Sequence, residues 1–400
     1  MSPTISFAAP HPALSHLSIT QILELHTRFM NGEKVKDLLV EYHVETSYKQ
    51  LQPLLPLRVL NDSPCPSCGS PMQQKWQTKS YGMPAPFCKP CGHEQGSHCC
   101  CHHCIEQRIR RANKEWAGQR LPYSRLLLKD KILLTALLLT HVGGVASVAG
   151  TGDLGAFAPS INGTQSFIGA LWGAGAIVMV SAPHWVTDSL RSEWIYAAEE
   201  YGWSNNVSAD TADDAALSAS ELLLRLRADL ASSLASSDET ALVGMIREVA
   251  EDYAFSYLDL QMSKQKLDIT SESATRKVLR ALIEVLSLAD ICAIGWQAAR
   301  DCGNAYENKV ATSRKHAANM LPGAMTRIAE MRSRKADPWK VERALNRVSR
   351  IERVLHDLLF GGHDSFFNWP LNTYYTDVVL PRIQNGRIVT PSKFPYQPPR

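Results

Sequence analysis

P-C-P-S-C-G at residues 64–69 and C-K-P-C-G-H at residues 88–93 are the stretches on which the reading of this chain turns. Each contains a Cys-x-x-Cys pair, Cys65 with Cys68 and Cys88 with Cys91, and nineteen residues separate the pairs. Two cysteines three positions apart on a tight turn aim both sulfurs at one point. Two such turns supply the four soft ligands of tetrahedral zinc. Gly69 and Gly92 follow the pairs, where a left-handed backbone lets each turn close. Pro66 and Pro90 stiffen the same turns. A structural Zn2+ ion held by these four cysteines is the first expectation.

Eight of the ten cysteines fall within residues 64–104, so the ligands crowd beyond Cys91. His93, Cys99, Cys101 and Cys104 would complete a second set of four. One ion with spare thiols, or two ions whose ligand sets cross, would use the same residues. Cys100, His98, His102 and His103 are available as substitutes. A disulfide framework fits poorly, because the chain shows no secretory signal and Cys292 and Cys302 lie far away. Thiolate-rich closed sites hold structure together rather than perform catalysis. Over about forty residues the paired turns resemble the knuckles of zinc-ribbon proteins, which implies bound metal and leaves the partner open.

Residues 1–16 carry no positive charge and read as a disordered lead-in. Residues 17–60 follow as a folded unit. Ser18 and Gln21 form a capping box, and Ile22, Leu25 and Phe29 recur at helical spacing. A second helix is predicted over 33–42 and a third over 45–51, ended by Pro53 and Pro56. The string G-E-K-V-K-D-L-L-V-E-Y-H-V-E-T-S-Y-K-Q-L is similar to the helix-turn-helix of recombinases and repressors. His43 stands where a glycine often makes the turn. That resemblance implies a reading face of Thr46, Ser47, Lys49 and Gln50 in the major groove of duplex DNA.

After the metal module of residues 61–106, residues 121–190 admit two readings. Residues 132–152 and 165–182 hold no charge, and basic residues precede them, as two membrane spans would require. Glycines and small polar residues interrupt both, which favours a soluble helix, a Gly-rich loop, a helix over 164–174 and a strand over 176–181. L-W-G-A-G-A-I-V-M-V in that region is similar to the recognition helix and first wing strand of winged-helix domains.

Residues 191–362 read as a helical bundle. Its apolar stripes are Leu222/Leu223/Leu226/Leu230/Leu234, Leu242/Ile246/Val249/Tyr253/Phe255/Leu258, Val278/Leu282/Val285/Leu286 and Ile291/Ile294/Trp296/Ala299. Cys292 and Cys302 read as buried thiols. Residues 363–400 read as an aromatic and Pro-rich tail with a hairpin at Asn385-Gly386.

Charge is spread unevenly. Residues 105–131 and 309–353 are basic, and residues 188–259 are acidic. Arg108, Arg110 and Arg111 begin the first basic run, and Arg343, Arg347 and Arg350 fall at helical spacing in the second. Such stripes can track a phosphate backbone or dock on the acidic segment. No Gly-rich phosphate loop, nucleophile elbow or H-E-x-x-H motif is present, so no enzyme is indicated. The expectation is a cytoplasmic, mainly α, multi-domain, zinc-stabilised protein that binds nucleic acid, first of all duplex DNA. A scaffold that docks a protein on its helical half, or a membrane-anchored zinc protein, is the alternative.

Overall fold

The computed structural model of the chain describes residues 5–46, 50–80, 82–96, 99–149, 155–183, 198–210, 215–232, 234–335, 341–343, 348–361 and 365–385. The fold is mainly helical. It divides into two compact units, Met1–Lys114 with Ala182–Leu190, and Glu115–Ser181 with Arg191–Arg400.

The first unit joins two helices to a three-stranded antiparallel sheet of order β1-β2-β3. Helix α1 (Ile19–Met30) starts at the expected capping box. Ser18 Oγ accepts from the Gln21 amide, and Gln21 Oε1 accepts from the Ser18 amide. Ile22, Leu25 and Phe29 are buried, together with Leu38 and Leu39 of α2 (Val35–Glu41). His43 takes the left-handed backbone (φ 52°) that the turn demands.

Among the described residues the expected third helix does not appear. Glu45, Thr46 and Gln50 are irregular, and residues 51–55 form turns; Ser47 and Lys49 lie outside the described residues. Pro53 removes an amide and biases Gln52 away from helix, leaving too few residues to offset nucleation. Val44, Leu51, Leu54 and Leu55 instead drop straight into the core beneath α1 and α2.

The lead-in is also more ordered than expected. Strand β1 (Ile5–Phe7) pairs with β2 (Arg58–Pro64), and Leu14 is fully buried. Strand β2 pairs in turn with β3 (Pro71–Gln74), so the boundary expected at residue 60 falls inside a strand. Trp76 locks this junction. Its Nε1 donates to Pro56 O at 2.5 Å and its ring stacks on Phe7. Helix α3 (His102–Ala112) closes the cysteine-rich segment.

In the second unit, the apolar run that suggested a membrane span is a short core helix, α4 (Leu128–Leu138). Asp130 accepts from the Leu127 amide at its start, and residues 132–138 are all buried. A helix apolar on every side is one surrounded by protein. Its neighbours are α5 (Ile161–Gly173), α6 (Ala219–Ala231) and α7 (Glu239–Lys264). Among the described residues no helix is long and apolar enough to cross a membrane. Strand β5 (Ile177–Ser181) follows α5, close to its expected place, and pairs with β6 (Gly202–Asn205). Between them β4 (Leu121–Pro122) and β7 (Val207–Ser208) add a short parallel pair.

Helices α8 (Glu272–Ile283), α9 (Leu288–Glu307), α10 (Arg314–Asn319) and α11 (Leu321–Lys335) complete the bundle. The stripes on α6, α7 and α9 are buried as read, apart from half-buried Leu223 and Trp296. That of α8 is displaced by one position: Thr275, Leu279 and Ile283 face the core, while Val285 is 62 % exposed beyond the helix end. Cys292 and Cys302 are buried, and burial lifts both thiols, Cys302 to about 11.

Chain 365–385 is not a tail. Ser365–Asn368, Leu371–Tyr374 and Leu380–Asn385 are helical, with a π-turn at Tyr375–Val379, so the strand expected over 378–383 is helix. The second half of the expected hairpin lies outside the described residues. Phe366, Phe367 and Tyr374 are buried, and Phe367 meets Tyr253 of α7 edge to face. Buried Arg382 donates to the carbonyls of Leu230, Ala231 and Ser232, which satisfies the C-terminus of α6.

Candidate metal centre

Both Cys-x-x-Cys turns fold as knuckles. In the first, the Cys65 amide donates to Ser70 O and the Gly69 amide to Cys65 O, each at 2.8 Å. In the second, the Cys88 amide donates to His93 O at 2.6 Å and the Gly92 amide to Cys88 O at 2.9 Å. Gly69 and Gly92 have φ of +75° and +70°, the left-handed backbone that a side chain would strain. Single-residue bridges of Phe87 to Gln73 and to Glu94 tie the second knuckle to β3.

The four knuckle sulfurs converge. Cys65 Sγ lies 3.5 Å from Cys91 Sγ and Cys68 Sγ lies 3.4 Å from Cys88 Sγ. All four ligand atoms fall within 4.8 Å of one another. The second cluster is equally tight, with His93 Nδ1 at 3.5, 3.5 and 3.3 Å from the sulfurs of Cys99, Cys101 and Cys104. Zinc bond lengths put tetrahedral edges at about 3.8 Å between sulfurs and about 3.6 Å between sulfur and nitrogen. The observed separations sit just inside those edges and far outside the ~2.05 Å of a disulfide. All ten cysteines are free thiols. The two ligand sets do not cross; each is complete within its own stretch of chain.

His93 joins the clusters. Its carbonyl closes the second knuckle of the first, and its imidazole supplies the nitrogen of the second. Burial, and then the charge of His103, lowers its basicity, so the neutral ring keeps a lone pair for metal. Cys101 precedes α3 and Cys104 lies in its first turn, so the helix start positions two of the four ligands.

Each cluster sets one acidic thiol beside a resistant one. Hydrogen bonds from the Ser70 side chain and backbone hold Cys68 down at about 6. Burial works against ionisation of Cys99, but backbone hydrogen bonds at Glu94 and Cys101 outweigh it and lower its pKa; the Glu94 amide reaches its sulfur at 3.2 Å. Burial pushes Cys88 and Cys104 up to about 12, and it raises Cys101. Thiols crowded in this way share protons that a divalent cation replaces. With four protein ligands apiece the clusters are closed, so they can hold an ion and leave no open position for substrate. Cys100 is exposed and belongs to neither set, and His102 is 89 % exposed beside Glu106. His98 lies outside the described residues.

The expected nucleic-acid contacts fare differently. Arg110 is 69 % exposed and loosely paired with Glu106 at 3.8 Å, and Arg111 is exposed. Arg108 is buried, as the inward face of α3 requires. Gln50 is exposed and Thr46 half-buried, both on irregular chain.

Arg343 and Arg350 do not share a helix face. Residues 341–343 are non-helical, Ser349 caps a new helical turn at Arg350–Glu352, and Arg347 lies outside the described residues. Arg343 is buried against Glu352 at 3.1 Å. Arg350 is fully buried and donates to Thr140 Oγ1 and to Ser147 O. Both are internal cations, because a capped turn that inserts Glu352 into the core needs positive partners there. Helix spacing read across an unseen break produced the false stripe.

Sequence reading passed over an aromatic cleft in the first unit, lined by Phe7, Leu23, His26, Arg58, Trp76, Gln77 and Met83. Its residues are scattered over seventy positions, and only the strand register brings them together. No protein family, curated protein or solved structure matches this chain.

Proposed function

We propose that this chain is a zinc-stabilised nucleic-acid-binding protein, in which two zinc ions shape the segment from Cys65 to Cys104 and exposed cations of that segment contact phosphate. The observation that carries the reading is the pair of complete, uncrossed four-ligand clusters at zinc-compatible separations. The ligands fit zinc because thiolate with imidazole in a tetrahedron is its preferred set. Between residues 70 and 114 seven lysines and arginines stand against two acids, which selects an anionic partner. Lys75, Lys89, Arg110, Arg111 and Lys114 are exposed. Among the described residues no third helix is present to read a major groove, so the proposal rests on these cations rather than on Thr46, Ser47, Lys49 and Gln50.

Metal analysis of the purified chain tests the first half, with two zinc per chain expected. Filter binding of duplex and single-stranded DNA across salt tests the second. Affinity is expected to fall with log salt, and the slope is expected to shrink by roughly two when Arg110 and Arg111 become alanine. Binding that is absent, or indifferent to salt, removes the nucleic-acid reading. A second reading, protein docking on the helical half, draws on an open groove between α9 and α11, where Val310 is 67 % exposed.

A further inference from the structure

The strand register lines up three unlike side chains. Phe7 of β1 lies opposite Arg58 of β2, and Arg58 lies opposite Gln74 of β3. Residues directly opposed across antiparallel strands project to the same face, so a ring, a cation and an amide form one row across the sheet. Trp76, just beyond β3, stacks on Phe7 with ring centroids 5.7 Å apart, and His26 of α1 tilts against Trp76 at 4.7 Å. Leu23 and Met83, 42 % and 50 % exposed, complete an open cleft of about 260 Å³. Among the described residues no carboxylate lines it.

Arg58 is the telling residue. It is half-buried, and it reaches the neutral Gln74 Oε1 and Met83 Sδ, each 3.4 Å from Nη1. Removing part of a guanidinium from water without an acid beside it is unfavourable. Such an arrangement is retained where an anion is to be received, and a planar fork over aromatic neighbours suits phosphate. The remaining walls are rings and a thioether, the surface on which a planar, polarisable group stacks. A cleft of this size admits one ring system and excludes a helix.

We infer that this cleft takes one unpaired base of a single-stranded nucleic acid, stacked on the Phe7–Trp76 pair, with the adjoining phosphate held by Arg58. The inference rests on the nucleic-acid reading above and narrows it to a single strand. Base-on-ring stacking is sequence-tolerant, because every base presents a π face, and it adds to the backbone attraction of nearby exposed Lys75 and Lys79.

The test uses the full zinc-loaded chain and a short single-stranded DNA carrying one 2-aminopurine, whose fluorescence falls when the base stacks. Wild-type protein is expected to quench it further, and the same label inside a duplex, already dimmed by stacking on its neighbours, is expected to change little on adding protein. Arg58→Gln should weaken strand binding about ten-fold, and Phe7→Leu should remove most of the quench. Zinc content and circular dichroism confirm that each variant is folded; His26→Leu, away from the strands, is the substitute if Phe7→Leu is not. Strand binding that depends on Arg110 and Arg111 but ignores Arg58, with no quench, overturns the inference and leaves the broader reading standing. A wild-type chain that binds no strand overturns both. Arg58-dependent capture of an acidic peptide without strand binding would reassign the cleft to a protein partner.

Discussion

His356 shows what one residue can reveal about this fold. Its ring is fully buried, stacks on Phe366 at 3.7 Å and shares a 2.8 Å hydrogen bond between Nδ1 and Tyr374 Oη. Burial, and secondarily the charge of Arg343, holds its pKa well below the ordinary histidine value. In the unfolded chain the same imidazole takes a proton near pH 6.5, while the folded one does not. Below that pH the unfolded state binds more protons, so stability falls as pH drops until the folded pKa is reached. The slope is about 1.4 kcal/mol per pH unit. Glu352, Arg343 and Tyr374 surround the ring but remain in a His356→Phe variant. Urea midpoints taken from about pH 7 to about pH 5.5 should therefore decline less in His356→Phe than in wild type. Equal declines would mean that the imidazole is already protonated in the fold. Nothing in the sequence around His356 announced this: a single histidine in V-L-H-D-L has no pattern, and its partners arrive from eighteen residues away.

At the scale of elements, legibility followed the range of the interaction. Helices whose ends are written locally came out close to expectation, as with the Ser18–Gln21 box opening α1. The ligand sets were legible for the same reason, since each knuckle is a turn of a few residues closed by its own glycine. Strand β1 was not legible, because three residues become a strand only when β2 offers an edge fifty residues later. The segment 341–352 was misread because its charge pattern matched a surface stripe while its partners are internal. Arg343 and Glu352 make the point quantitatively. Glu352 is fully buried, its carboxyl is pushed upward by desolvation, and Arg343 and Ser349 partly offset that. Truncation to Arg343→Ala leaves a buried acid without its cation, which costs about 3–5 kcal/mol in comparable pairs. A lower urea midpoint with unchanged strand affinity is the expected outcome. Loss of affinity at unchanged stability would restore the phosphate-binding role that the sequence suggested.

For the whole molecule the division of labour is thermodynamic. The first unit has a modest apolar core under α1 and α2, and around its knuckles little more than Cys65, Met72 and Cys88 is buried. So small a cluster does not offset the entropy of ordering forty residues, and under the zinc reading proposed above the metal supplies the difference. Structural zinc sites contribute apparent free energies of about 10–16 kcal/mol in small domains. The second unit has no such dependence. Its long helices α7 and α9 bury continuous stripes, and no metal-ligand cluster lies among its described residues. A chelator should therefore act on one unit only. Far-UV circular dichroism is expected to keep most of its helical signal, since α7 and α9 carry much of it, while proteolysis opens between Cys65 and Cys104. Calorimetry should show one transition lost and another at its original temperature. Cleavage that appears instead within α7 or α9 would mean that the helical half borrows its stability from the metal. Resistance at every site after complete zinc removal would mean that the knuckles hold together without it, and that the thiol clusters serve another purpose.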